Sequence, residues 1–299
     1  MGASFAAVIA ASGSSSRMAL PGRQVKKEYL PLGDSLGPAR VDRRGAPLTV
    51  LGAAVSAFAG IGDIGFIVIA VPPGGEAEAR AALPEELLSP PAPASLGRPP
   101  GFASGIIPGG SCSLAESPRC PGEGGHGEIG PGLGGRGEGE RPRLLFVPGG
   151  SSRRISVHHA LSLLESYGPS WVLIHDGARP WVSGALIRRV MEGVRIHSAA
   201  IPLLPLAETP KELDGRGFIR RHLRRSTLGC AQTPQGFAFP GILRAHERGA
   251  ERELAESYEY TDDAELWGEF CGPVAVVPGE RENRKITYPE DLGLCGVCL

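Results

Sequence analysis

The sequence predicts an α/β fold in which a mostly parallel sheet carries helices on both faces. Two observations lead there. Short apolar runs recur without polar alternation, as strands buried on both faces require, and stretches with helical spacing lie between them. The runs are Phe5 to Ala11, Phe66 to Val71, Leu144 to Val147, Trp171 to His175, Ala199 to Leu204 and Val274 to Val277. The helical stretches are Leu48 to Phe58, Ser156 to Ser166, Ala185 to His197, Pro240 to Glu251 and Asp262 to Phe270, several with Ser, Pro or Asp near the start. Strand, helix, strand, repeated, builds a parallel sheet covered on both sides. Ligands of such sheets bind beyond the carboxyl ends of the strands, so chemistry is sought directly after each run.

Composition narrows the class. The 299 residues hold 31 Lys+Arg against 32 Asp+Glu, a formal net charge of −1, with 41% hydrophobic residues. That balance argues against a nucleic-acid-coating protein or an acidic disordered chain. No apolar run reaches the roughly 20 residues that span a bilayer. Phe5 to Ala11 is short and lacks a basic flank and a cleavage site, so it reads poorly as a signal peptide, and a cytoplasmic location is expected. The six Cys form no disulfide framework, and the C-x-x-C pair Cys295 and Cys298 lacks the strand-to-helix turn of a redox site. Between Pro72 and Pro142 lie 17 of the 44 Gly and 13 of the 28 Pro. That composition buries too little apolar surface to offset its ordering entropy, so a disordered insertion is expected at about 76–140 within a single domain, 1–299.

The strand exits are cationic. After the first run come Ala11, Ser12, Gly13, Ser14, Ser15, Ser16 and Arg17, then Lys26 and Lys27. Small residues leave backbone N–H groups open to phosphate, and Arg17 adds a fork of donors. The loop lacks the Gly-Lys-Ser/Thr ending of a Walker A loop and the G-x-G-x-x-G of dinucleotide binders, and by itself it reads equally as a solvated turn. The third run delivers Gly149, Gly150, Ser151, Ser152, Arg153 and Arg154; the fourth delivers His175, Asp176, Gly177, Ala178 and Arg179. Asp176 beside Arg179 can serve a metal or substrate hydroxyl and an anion, or form a structural ion pair. Lys285 stands in a further cluster, Asn283 to Thr287, that alone reads as a solvated charged face. Several cationic exits on a net-neutral chain concentrate positive potential around an anion.

Eight segments in order, covering nearly the whole chain outside the insertion, resemble one family. They are A-S-G-S-S-S-R-M (11–18), K-E-Y-L-P-L (27–32), G-G-S-S-R-R-I-S-V (149–157), V-L-I-H-D-G-A-R-P (172–180), P-L-A-E-T-P-K (205–211), Q-T-P-Q-G-F (232–237), T-D-D-A (261–264) and N-R-K-I-T-Y-P-E-D-L (283–292). Together they are similar to the 2-C-methyl-D-erythritol 4-phosphate cytidylyltransferases of non-mevalonate isoprenoid synthesis. The resemblance implies a Rossmann-like α/β domain with a protruding β-arm at about 205–228, exchanged in a homodimer. It implies CTP, a polyol phosphate and Mg²⁺ on the triphosphate, with Asp176 as a possible metal contact.

The resemblance also assigns roles. Arg17, Lys27 and Lys285 would hold the triphosphate and stabilise the pentacoordinate phosphorus. Backbone at Ala11, Ser12, Gly13 and Gly150, with the Ser156 hydroxyl, would read the pyrimidine. Asp176, Arg179 and Thr261 would line the substrate side, while Thr209 and Arg225 would grip the sugar phosphate across the dimer interface. The sequence departs from the family at Ser12, at Ser15 in place of a glycine, and at Ser151 and Ile155, where an acidic residue is common. A cytidylyltransferase for another polyol phosphate, such as ribitol 5-phosphate, shares most of these features. A non-catalytic nucleotide-binding scaffold is the reading from another class, and the three cations speak against it.

Overall fold

The computed structural model describes residues 4–15, 18, 26–33, 41–88 and 141–292; Arg17 and residues 89–140 of the expected insertion lie outside them. In chain order the elements are β1 (Phe5–Ala10), α1 (Val50–Ala59), β2 (Ile64–Val71), α2 (Glu76–Ala81), α3 (Glu85–Leu88), β3 (Arg143–Pro148), α4 (Arg153–Glu165) and β4 (Trp171–Asp176). Then follow α5 (Gly184–His197), β5 (Ala199–Pro205), β6 (Lys211–Leu213), β7 (Ile219–His222), β8 (Gly229–Ala231), β9 (Gln235–Ala238), α6 (Gly241–Glu256), α7 (Asp263–Phe270) and β10 (Ala275–Pro278).

The main sheet runs β3-β2-β1-β4-β9-β5-β10, with β8 added along β5. Parallel pairs join β1 with β2 and β4, β2 with β3, and β5 with β10. The other two strands, β8 and β9, pair antiparallel. Side chains alternate strictly across β1: Phe5, Ala7 and Ile9 enter the core under α1 and α5, while Ala6 and Val8 enter the core under α4, α6 and α7. Period-two alternation with both faces buried explains why the strand reads as an unbroken apolar run. Each fully buried Ile or Leu of this sheet, Ile67 and Leu173 among them, contributes about 1.5–3 kcal/mol.

Helix starts are set by side-chain caps. Thr49, Ser152, Ser183 and Asp262 accept from the backbone N–H of Gly52, Ile155, Leu186 and Glu265 at 2.9, 3.2, 2.9 and 2.9 Å, each satisfying an orphan donor. Ser152 starts α4 three residues ahead of the sequence expectation, which places Ser156 inside the first turn.

Two further differences concern what reads as loop in the sequence. Residues 76–88 belong to the fold: Ala79 is buried, and the hydroxyl of Thr49 donates to the carbonyl of Ala82 at 2.6 Å, tying this segment to the start of α1. Residues 76–88 are therefore not part of a disordered stretch, contrary to the expectation for 76–140. Within the expected arm, β6 and β7 form a separate two-stranded sheet with Leu213, Phe218 and Ile219 exposed. Among the described residues no helix is long and apolar enough to cross a membrane.

Candidate active site

The exits of β1, β3 and β4 meet the segment 283–287 at one cleft of about 580 Å³. Ser12, Gly13, Lys27, Gly150, Ser156, Asp176 and Lys285 all line it, as do Arg153 and Glu259. The carboxyl-end rule for parallel sheets thus holds here.

Lys27 is buried, and its Nζ donates to the carbonyl of Ile286 at 2.8 Å, which sets it beside Lys285 despite their distance in sequence. Lys285 Nζ pairs with Asp176 Oδ2 at 2.9 Å. Asp176 also receives Arg153 Nε on Oδ1 at 3.1 Å and faces Arg179 Nε at 3.6 Å. Burial alone would raise the Asp176 pKa, but Arg153, Lys285 and Arg179 hold it well below the usual carboxylate range. The chain of charges continues: Arg153 Nη1 reaches Asp263 Oδ2 at 2.8 Å, and Asp263 Oδ1 meets His246 Nε2 at 3.1 Å. Burial pushes the Asp263 pKa up, and Arg153 with the His246 contact more than reverses it. A buried carboxylate between several cations is fixed in position, because losing any partner strands a charge in low dielectric.

The loop bearing Asp176 is locked from behind. The Asp176 N–H donates to Thr233 Oγ1 at 3.1 Å, and Thr233 Oγ1 lies 3.0 Å from His175 Nδ1. His175 Nε2 lies 3.1 Å from the Arg179 carbonyl, so that nitrogen carries the proton and Nδ1 accepts from the threonine hydroxyl. Burial, only partly offset by the Arg179 carbonyl, pulls the His175 pKa down to about 4, leaving the ring neutral. The Lys285 segment is held by the Q-T-P-Q motif. Gln232 Nε2 donates to the Glu280 and Asn283 carbonyls at 2.8 and 3.2 Å, and Asn283 Nδ2 donates to the Thr233 carbonyl at 2.7 Å. Gln235 joins Asp262 and the N–H of Ala264 at 2.8 and 3.0 Å, anchoring the start of α7. These supporting residues, with Arg153 and Asp263, stand within the quoted motifs, yet the sequence assigns them no role. Apart from His175 with Arg179, their partners lie from 17 to 110 residues away, and such long-range pairing leaves no local signal.

The glycines of the β3 exit have a steric reason. A Cβ on Gly149 would lie 2.2 Å from the Cβ of Ser12, and one on Gly150 would lie 2.1 Å from Cγ2 of Ile155. Only a residue without a side chain lets the two loops close. At that contact Ser156 Oγ accepts the N–H of Gly150 at 3.0 Å and the hydroxyl of Ser12 at 2.7 Å, and donates to the Ser152 carbonyl at 2.8 Å. Its single proton and both lone pairs are engaged. Ser15 takes the left-handed region at φ 52, and its hydroxyl donates to Glu28 Oε2 at 3.1 Å, so a serine fills the glycine-like position with a compensating contact.

Ala11, Arg179, Thr261, Thr209 and Arg225 do not line this cleft within their own chain. The Ala11 N–H is engaged with the Ala70 carbonyl at 3.0 Å and is closed to a base. Arg179 stands behind Asp176, donating to the Asn283 carbonyl at 2.8 Å. Thr261 directs its N–H and hydroxyl to Glu265 Oε2 at 2.9 and 2.8 Å as part of the α7 start. Thr209 is exposed near the arm, and Arg225 donates to the Ala207 carbonyl at 2.7 Å, neither lining the cleft of its own chain. Arg17 lies outside the described residues. For Mg²⁺, no cluster of three His, Cys, Asp or Glu capable of caging an ion occurs among the described residues. Both oxygens of Asp176 already face cations. The donor set suits an ion carried on a triphosphate with few protein ligands, the way Mg²⁺ commonly binds at nucleotide sites.

A family model described as 2-C-methyl-D-erythritol 4-phosphate cytidylyltransferase matches residues 137–299. The chain is 44% identical over 144 residues to the bifunctional enzyme IspD/IspF of Nitrobacter hamburgensis, a match covering 48% of this chain and 35% of that protein. It is 40% identical over 156 residues to the 2-C-methyl-D-erythritol 4-phosphate cytidylyltransferase of Synechococcus elongatus, covering 52% and 65%. The chain thus spans about a third of the length of the bifunctional relative. The crystal structure of 2-C-methyl-D-erythritol 4-phosphate cytidylyltransferase from Thermus thermophilus aligns over 98% of this chain and 97% of that one, at 26% identity and a TM-score of 0.57. Lys285 falls inside the family-model match and Lys27 before it, so Lys27 enters the site on geometry.

Proposed function

The chain belongs to the 2-C-methyl-D-erythritol 4-phosphate cytidylyltransferase family, and from that premise we propose that it transfers the cytidylyl group of CTP to 2-C-methyl-D-erythritol 4-phosphate. A phosphate oxygen of the polyol phosphate attacks the α-phosphorus, the bond from that phosphorus to the bridging oxygen breaks, and pyrophosphate leaves with the electron pair. Two anions must meet, so catalysis is charge neutralisation and in-line positioning. Lys27 and Lys285 do this work at the α-phosphate, with Arg17 as a third cation from the first loop. Asp176 holds Lys285 in place, and Arg153 holds Asp176. Asp176 would be the protein carboxylate holding a Mg²⁺ bound on the triphosphate, an ion that would supply charge neutralisation there.

The observation that carries this reading is the contact of Lys27 with the backbone next to Lys285, on the wall of one cleft. Exposed Leu213, Phe218 and Ile219 on the β6–β7 hairpin support the homodimer part, in which each arm covers its apolar side on the other chain and brings Thr209 and Arg225 to the neighbouring cleft. A cytoplasmic location completes the reading. The test is pyrophosphate release from CTP and Mg²⁺. Release with methylerythritol phosphate is the expected result. Release with ribitol 5-phosphate alone moves the assignment to that alcohol, and CTP binding with both alcohols inert overturns it in favour of a scaffold.

A further inference from the structure

We infer that His246 is a positioning residue for the transfer reaction, acting on Lys285 through Asp263, Arg153 and Asp176. The inference rests on the function proposed above and extends it to a side chain outside the cleft. His246 lies within α6, is fully buried, and does not line the cleft. Its ring makes one hydrogen bond: Nε2 meets Asp263 Oδ1 at 3.1 Å, while Nδ1 has no hydrogen-bond partner among the described residues. An ionised carboxylate only accepts, so Nε2 carries the proton and donates. Asp263 keeps Oδ2 for Arg153 Nη1 at 2.8 Å, and Arg153 turns Nε to Asp176 Oδ1 at 3.1 Å. That leaves Asp176 Oδ2 for Lys285 Nζ at 2.9 Å, with Arg179 Nε farther off at 3.6 Å.

Each link limits the next. A guanidinium is a rigid planar fork, so Arg153 serves two carboxylates at once only while each offers it one oxygen. The His246 N–H occupies Asp263 Oδ1 and so imposes that division. Without it, buried Asp263 is free to take Arg153 with both oxygens, the geometry an arginine and a carboxylate prefer. Arg153 then turns away from Asp176, and Lys285 loses its fixed place at the α-phosphate. The backbone does not depend on the ring, because the His246 carbonyl accepts from Arg154 Nη1 at 3.2 Å and ties α6 to α4.

The experiment measures pyrophosphate release by the intact protein with saturating CTP, Mg²⁺ and methylerythritol phosphate. His246→Gln and His246→Asn both lose the ring and its stacking on His158, 6.3 Å between centroids, but only the longer glutamine amide reaches the place of Nε2. His246→Asn is expected to lower kcat about tenfold, as a misplaced catalytic group does. Its affinity for CTP, titrated by calorimetry, is expected to change less than about twofold, because Lys27 and Arg17 still hold the triphosphate. His246→Gln is expected to stay within about threefold of the unaltered rate. In a Lys285→Ala background the two variants are expected to be equally active, since the path ends at Lys285. Equal rates of the two single variants, a folded His246→Gln slowed about tenfold, or a gap between them that persists without Lys285 overturns the inference, while release by the unaltered protein upholds the function. If the unaltered protein releases no pyrophosphate, both fall together.

Discussion

The cleft wall and the β6–β7 hairpin solve the problem of charge and apolar surface in opposite ways. In the wall, Asp176 and Asp263 are buried, and Arg153 joins them, with Lys285, Arg179 and His246 closing the ends. In the hairpin, Glu212 meets Arg220 and Arg221 at 3.4 and 2.7 Å in open solvent, while Leu213, Phe218 and Ile219 stay uncovered. One region buries its charges among partners, and the other leaves both charged and apolar side chains exposed. The same residue types therefore carry different weight: a buried ion pair fixes geometry because breaking it strands a charge, whereas an exposed pair is exchanged for water at little loss.

Asp176→Ala should break the comparison hardest. It leaves Arg153, Arg179 and Lys285 without their shared carboxylate, and thermal or urea denaturation is expected to record a loss of about 3–5 kcal/mol. The pH dependence of stability is the next effect. His175 is neutral in the fold, with its pKa lowered to about 4, so the unfolded chain binds the extra proton between about pH 6.5 and 4. Stability from this group is complete above about pH 6.5 and declines as pH falls through that window, by on the order of 3 kcal/mol. Denaturation curves at about pH 7 and about pH 4.5 check it, with His175→Gln expected to flatten the profile. Lys27→Ala is expected to lower the rate of pyrophosphate release by about 10² or more, the common effect of removing one transition-state charge contact. At the small end, Arg221→Ala in the hairpin is expected to change stability by less than about 1 kcal/mol. Phe218→Ser should likewise spare monomer stability while shifting sedimentation toward the single chain.

The contrast also explains what can be read from the residues alone. The buried strands announce themselves as apolar runs, and their exits are found because a parallel sheet puts its ligands there. The strands β8 and β9 have three and four residues, too few for a period to emerge, and Gln232 to Phe237 stands out as a motif rather than as a strand that reverses direction. Residues 76–88 group by composition with the Gly/Pro-rich segment because prolines flank them, yet Glu76 to Ala81 is a good helix former that packs Ala79 inward. The cations Lys27 and Lys285 are legible through family likeness and Arg153 as a cation at a strand exit, while the pairing of Arg153 with Asp176 and Asp263, 23 and 110 residues distant, leaves no local signal. Likeness makes Ser156 a reader of the base, and within the chain its hydroxyl joins Ser12, Gly150 and Ser152, a set of contacts that the sequence does not announce.

The proposed transfer turns on two lysines serving one phosphoryl group. A crystal structure of the protein with α,β-methylene-CTP, whose bridging carbon blocks transfer, measures this directly. Nζ of both Lys27 and Lys285 should lie within hydrogen-bond distance of oxygens on the α-phosphate. A triphosphate bound away from either lysine would contradict the transfer mechanism.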